Sequence, residues 1–236
     1  MVCSSCSSKI AMDILKFLFH LFILFPVIYT SQDYCQYSRC SNKDTFFIRF
    51  PFQLEVESDQ HPYCGYPDFK LTCTNDNKTV LTLPYSGGVF YVRSIDYRRQ
   101  QIQIYDPYHC LLNRLLSLNL SGSPFFTEYL TNYTLLSCST RNIGSQFYPV
   151  DCLSHFTHFA SVIPSASFTD SLPQSCYIIR NLSVPVPKFY HDFFLNSLSE
   201  DLELTWSSPD CRYCESQYVM CRFESRNSDQ VRLFLC

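Results

Sequence analysis

The chain has 236 residues, 14 of them cysteines, with 17% aromatic and 17% charged side chains and a formal net charge of -3. Charge this balanced gives no ground for a nucleic-acid partner, which needs a clustered basic face. Five glycines rule out collagen-like or low-complexity sequence, and the aromatic content rules out a disordered chain. The length allows one large or two small domains.

Lys9 and Lys16 flank an apolar run, FLFHLFILFPVIY, at 17–29, followed by the small residues Thr30 and Ser31. The run is short for a membrane span and holds Pro26. It reads as a secretory signal peptide over 1–31, with an uncleaved anchor as the alternative. Met12 also begins a complete signal, and starting there would remove Cys3 and Cys6 from the product. Past the signal stand twelve cysteines: Cys35, Cys40, Cys64, Cys73, Cys110, Cys138, Cys152, Cys176, Cys211, Cys214, Cys221 and Cys236. In an oxidising compartment they predict a framework of up to six disulfides, with the pairing left open. Four sequons, at Asn77, Asn119, Asn132 and Asn181, predict surface N-glycosylation in the same compartment.

Residues 32–108 make a first module. FFIRFPF (46–52) reads as a strand that Pro51 either confines to a sheet edge or stops from pairing, with LEVES (54–58) extending it. CGYPDFKLTC (64–73) brackets a turn and a short strand between two half-cystines. TVLTLP (79–84), VFYVRSIDY (89–97) and QIQIYD (101–106) follow, each bounded by turn residues. In VFYVRSIDY, Val89, Tyr91, Ile95 and Tyr97 share one parity and Phe90, Val92, Ser94 and Asp96 the other. Both faces are then partly apolar and expected to be covered.

Residues 109–236 make a second module. CLLNRLLSLNL has helical spacing at Leu111, Leu112, Leu115, Leu116 and Leu118, and the stretch from Ser117 to Pro124 breaks it. Phe125 to Cys138 reads as strand and 142–145 as loop. The stretch between Cys152 and Cys176 reads as irregular. CYIIRNLSVPVP reads as a strand ended by prolines, and 193–202 as a short helix. The fold class is therefore mainly β with a few short helices, in two small disulfide-rich modules.

No catalytic motif is present, and no cofactor is expected. Cys152, His155, His158, Cys211 and Cys214 have the residue types of a zinc site, but lack zinc-finger order, so disulfides and loop histidines are the plainer reading. Cys211-x-x-Cys214 lacks the strand–helix setting of a redox pair. In the first module Tyr66 and Tyr97 stand near Lys70, Arg93, Arg98 and Arg99. Rings that stack on sugars and guanidinium groups that grip carboxylates suit an acidic polysaccharide. The alternative is that the rings are core and the arginines a solvated turn. Charge counting favours neither, with eight bases and eight acids from Lys43 to Arg114.

FIRFPF, CGYPDFKLTC, TVLTLP, FYVRSIDYRRQQIQIYDP, LNLSGSPF, YTLLSCS and LTWSSPDCRYCE together resemble the extracellular half of plant RING-type ubiquitin-ligase-like proteins of the ATL group. These carry a galacturonan-binding domain of wall-associated kinases. The resemblance implies a galacturonan-binding-like domain over 32–108 and a second cysteine-rich module like the wall-associated kinase C-terminal region over 109–236. It also implies a cell-surface or cell-wall location and an acidic pectic partner. In the family a membrane helix and a zinc-binding RING follow. Their counterparts are not in this sequence, so the resemblance does not carry ligase activity onto it. CRF at 221–223 stands where relatives have Cys-Gly-Phe. A truncated product or a secreted remnant is expected, and pairing with full-length relatives is a further possibility.

Overall fold

The computed structural model describes residues 37–55, 64–84, 88–168, 172–185, 201–223 and 234–235. The expected signal segment, Cys35, Cys236 and the helix expected over 193–202 (apart from its last two residues) lie outside them.

The first sheet begins where FIRFPF ends. Ile48, Phe50 and Phe52 fall at every second position and are all buried. The segment nevertheless does not form the expected strand. It makes only an isolated bridge, Ser38 to Ile48, and the Phe50–Pro51 peptide is cis. Regular pairing starts at β1 (Gln53–Leu54), parallel to β2 (Lys70–Cys73). Gly65 sits where the two segments meet. A Cβ there would stand 2.6 Å from the Gln53 side chain, so glycine permits the close approach. β3 (Thr79–Leu83), β4 (Gly88–Asp96) and β5 (Gln101–Tyr105) continue as an antiparallel meander.

The register of β4 shifts between Val92 and Ser94. This bulge reverses the alternation, because two residues there oppose one on β5. Phe90 and Val92 thus share the core face with Ile95 and Tyr97, although their parities differ. The two half-apolar faces expected of this strand collapse into one buried face.

The buried Asp106 ends the meander. Its carboxylate accepts from the Cys110 N–H at 2.9 Å and from Arg114 Nε at 3.1 Å, fixing the start of α1 (Leu111–Leu115). The segment expected as one strand from Phe125 to Cys138 divides into β6 (Phe125–Phe126) and β7 (Leu130–Cys138). β8 (Tyr148–Pro149), β9 (Phe159–Pro164) and β10 (Cys176–Pro185) follow. β9 falls in the stretch expected to be irregular. Its sequence FASVIP is a short apolar run without polar alternation, which periodicity alone does not identify as strand. β7, β8, β9 and β10 form a four-stranded sheet ordered β10-β7-β9-β8. The chain then returns as β11 (Leu202–Trp206), between β5 and β6, completing a seven-stranded sheet. Strands from both sides of the 108/109 boundary share that sheet. α2 (Arg212–Ser216) and the pair β12 (Arg222–Phe223) and β13 (Phe234–Leu235) close the fold.

The two larger sheets share one core. Tyr133, Leu135, Val162 and Val184 of the smaller join Leu81, Phe90, Ile102 and Leu204 of the larger. At its centre, the Phe52 ring lies 5.2 Å from Phe69, 5.2 Å from Trp206 and 6.1 Å from Phe125, edge-on to the first two and stacked on the third. Disulfides join Cys40 to Cys73, Cys110 to Cys152, Cys138 to Cys176 and Cys211 to Cys221. Cys64 and Cys214 are disulfide-bonded as well. Cys152 and Cys211 therefore serve as bridges to Cys110 and Cys221. Cys211 does not pair with Cys214 as a redox motif would.

Truncating Phe52 leaves a cavity walled by three rings that belong to separate strands and loops. Phe52→Ala should cost about 3–5 kcal/mol, read as a lowered guanidinium midpoint with the disulfides intact. A loss below about 1 kcal/mol would mean the ring cluster is not the packing centre.

A candidate ligand groove at the β4–β5 hairpin

The hairpin turn Tyr97–Gln100 is short, with Gln100 in the left-handed region at φ 55°. The Arg99 N–H donates to Asp96 Oδ1 at 3.0 Å and fixes the turn. The buried Gln100 side chain fastens it to the C-terminal region. Its amide donates to the carbonyls of Trp206 (2.9 Å) and Pro209 (3.1 Å), and its oxygen accepts from the Cys211 N–H at 2.9 Å.

A second tie runs through Arg49. Its guanidinium forms a two-pronged pair with Glu215 of α2, at 2.5 and 2.7 Å, and lies 3.7 Å above the Tyr97 ring. The Tyr97 hydroxyl donates to the Phe47 carbonyl at 2.8 Å and accepts from the Arg49 N–H at 3.1 Å. Burial raises the Tyr97 pKa well above the ordinary tyrosine value, and the hydrogen bond and charge of Arg49 offset only part of it. The hydroxyl therefore stays a neutral donor. Glu215 is buried, and the planar guanidinium supplies the bidentate partner its carboxylate needs.

Above this support opens a groove of about 590 Å3. β3 stops pairing with β4 at Tyr91, and the groove lies along the end of β4 and the start of the turn, from Ser94 through Arg98. Glu215, Tyr218, Val219 and Met220 form the wall from the C-terminal region. The Arg98 guanidinium stands 5.4 Å from the centre of the Tyr218 ring, a ring that is 85% exposed. Among the described residues no carboxylate forms a salt bridge with Arg98, whereas Arg49 is held by Glu215 and Arg99 lies 3.9 Å from Asp96.

Six residues are candidates from sequence, and they do not converge. Tyr97 and Arg98 line the groove, with Tyr97 contributing its ring from the buried side. Arg99 flanks them on the turn. Arg93 is engaged elsewhere, with Nε 2.7 Å from Asp201 and its guanidinium over Tyr105 at 4.5 Å. Lys70 lies on β2 and pairs with Glu55 at 3.3 Å. Tyr66 packs edge-on against Phe69 and approaches the Ser208 hydroxyl at 3.5 Å. Sequence reasoning did not reach Arg49, Glu215, Tyr218 or Met220. Arg49 and Glu215 are 166 positions apart, and nothing local marks them as partners. The one usable signal was a lone arginine among the buried aromatics of FIRFPF, which demands a counter-charge.

Beside the groove, Ser94, Gln103, Gln101 and Glu203 form a hydrogen-bonded row across β4, β5 and β11. Ser94 Oγ donates to Gln103 at 2.8 Å, and Gln101 Nε2 donates to Glu203 at 3.1 Å. Burial first, and then the charge of Glu128, raise the Glu203 pKa above the usual carboxylate value.

Residues 35–106 match the wall-associated receptor kinase galacturonan-binding family. The hairpin thus belongs to a domain of that class, while Tyr218 and Glu215 come from outside it. Beyond the domain, the chain is homologous along nearly its whole length to plant RING-H2 finger proteins of the ATL group. It is 39% identical to RING-H2 finger protein ATL21B of Arabidopsis thaliana over 219 residues, covering 92% of this chain and 58% of that protein. It is 38% identical to RING-H2 finger protein ATL22 of the same plant over 232 residues, covering 97% of this chain and 60% of that protein. It is also 27% identical to rust resistance kinase Lr10 of Triticum aestivum over 233 residues, covering 82% of this chain and 36% of that kinase. The chain therefore spans about three-fifths of the length of the RING-H2 relatives. No solved structure matches it significantly. Among the described residues, no helix is long and apolar enough to cross a membrane.

Two expectations follow. Arg49→Met strands a buried Glu215 and should cost about 3 kcal/mol or more in urea unfolding, while Arg49→Met with Glu215→Leu should recover most of that loss. An additive double variant would contradict the pairing. For Glu203, the folded state favours the protonated acid. That contribution is complete below the ordinary glutamate range and is lost as pH rises through the raised pKa. Glu203→Gln should accordingly raise the thermal midpoint at neutral pH and leave it nearly unchanged in acid buffer. Equal shifts at both pH values would contradict the assignment.

Proposed function

We propose that this chain is a secreted, cell-wall-facing module that binds pectic galacturonan, and that the hairpin groove is where the polysaccharide lies. The reading is supported by the galacturonan-binding domain over 35–106. The observation that carries the location is the juxtaposition of Arg98, which no carboxylate engages among the described residues, with the exposed Tyr218 ring. A galacturonate unit presents a flat sugar face and a carboxylate. The ring offers a stacking surface, and the guanidinium offers two parallel donors for the carboxylate. Arg99 adds charge at the rim, where attraction to a polyanion is screened by salt. Arg93 and Lys70, already paired to acids, contribute little in this scheme.

Retention on immobilised polygalacturonate should fall with added salt. Arg98→Ala should weaken binding about 10-fold or more, as expected for a lost charge-assisted contact, and Tyr218→Ala should weaken it to a similar degree. Arg93→Ala should change it less than about 2-fold, since its charge is already neutralised by Asp201. Undiminished binding by Arg98→Ala would remove the groove from consideration.

A second reading rests on the RING-H2 relatives, which are longer than this chain. In it, the chain is the ectodomain portion of a membrane ubiquitin ligase, and ligase activity resides in sequence beyond it. Sequencing the transcript past the Cys236 codon tests this. An apolar helix followed by a Cys/His-rich tail supports it, and an in-frame stop removes it.

A further inference from the structure

We propose that Asn132 and Asn181 carry a pair of N-linked glycans that shield the open edge of β10. The inference rests on passage through the secretory pathway, the compartment assumed in the proposed function. It does not depend on the ligand.

The two sequons are Asn132-Tyr133-Thr134 on β7 and Asn181-Leu182-Ser183 on β10. The antiparallel register places Asn132 opposite Ser183 and Thr134 opposite Asn181. Each sequon's hydroxyl therefore faces the other sequon's asparagine. Ser183 Oγ donates to Asn132 Oδ1 at 2.6 Å, and Thr134 Oγ1 donates to Asn181 Oδ1 at 3.0 Å. The Thr134 hydroxyl also contacts that of Ser165 at 3.1 Å, so Ser165 donates into the same chain. These bonds hold both amide oxygens. The amide nitrogens, where a glycan attaches, make no hydrogen bond among the described residues, and both asparagines are exposed. A glycan at each site leaves the reciprocal bonds intact. The other two sequons are solitary: Asn77 sits in a left-handed turn position, and Asn119 Oδ1 accepts from the Ser121 N–H of its own turn.

The pair lies on one face of the ribbon as diagonal neighbours, about 7–8 Å apart. Attachment follows ordinary sequon chemistry. The amide nitrogen displaces a lipid pyrophosphate from C1 of the donor oligosaccharide. The N–C1 bond forms, the C1–O bond to pyrophosphate breaks, and the nitrogen loses one proton.

The position explains the need. Among the described residues β10 is the outer strand of its sheet, ten residues long and paired only with β7. Tyr177, Ile178 and Ile179 beside the bulge are about half exposed. A long edge strand with exposed apolar side chains templates pairing with a second copy. Two bulky polar groups on the same ribbon obstruct that approach.

The test is glycopeptide mapping of the full chain secreted from plant cells, with single and double Asn→Gln variants followed by light scattering. Glycans are expected at both sites on one molecule, one lost in Asn132→Gln or Asn181→Gln and both in the double variant. The double variant should shift from monomer towards dimer mass as its concentration rises, whereas Asn119→Gln should stay monomeric. Endoglycosidase trimming of the folded wild-type chain should produce the same shift, which separates shielding from misfolding. Glycans on Asn77 or Asn119 with Asn132 and Asn181 bare would overturn the inference alone, and so would a trimmed chain that stays monomeric. A chain retained in the cell with all four sites bare would overturn the secretory reading with it.

Discussion

Phe52 and the rings around it are the constraint on which the rest of the structure depends. Phe69, Phe125 and Trp206 meet it from β2's entry, β6 and the end of β11. No two of these rings are near one another in sequence. Aromatic packing of this kind is directional, since edges seek faces. It therefore fixes how the returning strand β11 lies against β5 and β6. The seven-stranded sheet exists because that return is made.

The polar ties follow from the same geometry. Once Trp206 is seated, the loop after it passes the hairpin turn, and the buried Gln100 amide can satisfy two carbonyls and one N–H there. Arg49 precedes the aromatic anchor by three residues and reaches Glu215 as α2 comes alongside. A buried ion pair is weak evidence of net stability but a strong determinant of register, because either partner alone would be a stranded charge. Here it sets the wall of a groove whose floor belongs to one family-defined domain and whose far side belongs to the segment after it.

The hairpin groove and the β7–β10 ribbon differ in their chemistry. The groove offers an arginine and an exposed ring beside a strand edge that β3 leaves unpaired. The β7–β10 ribbon offers hydroxyls and amides that satisfy one another across the strands. Both features arise at sheet edges, where backbone pairing ends and side chains decide what approaches.

Sequence by itself determined the mainly β class, the meander from Lys70 to Tyr105, the helix at Leu111 and the strand from Cys176. These are local: short β-branched runs, turn residues and spacing. The tyrosine and two of the arginines at the hairpin were also legible, because aromatic and basic residues beside a turn are conspicuous. Only the tertiary structure decided which face of β4 is buried, since one bulge between Val92 and Ser94 overrides parity. It also decided that FIRFPF packs with one isolated bridge in place of a strand, that Arg93 is spent on Asp201, and that Tyr218 stands beside Arg98. Each depends on a contact between residues distant in the chain or on a single inserted residue. Neither leaves a periodic trace, because pattern reports which side of an element is apolar and not which element it meets.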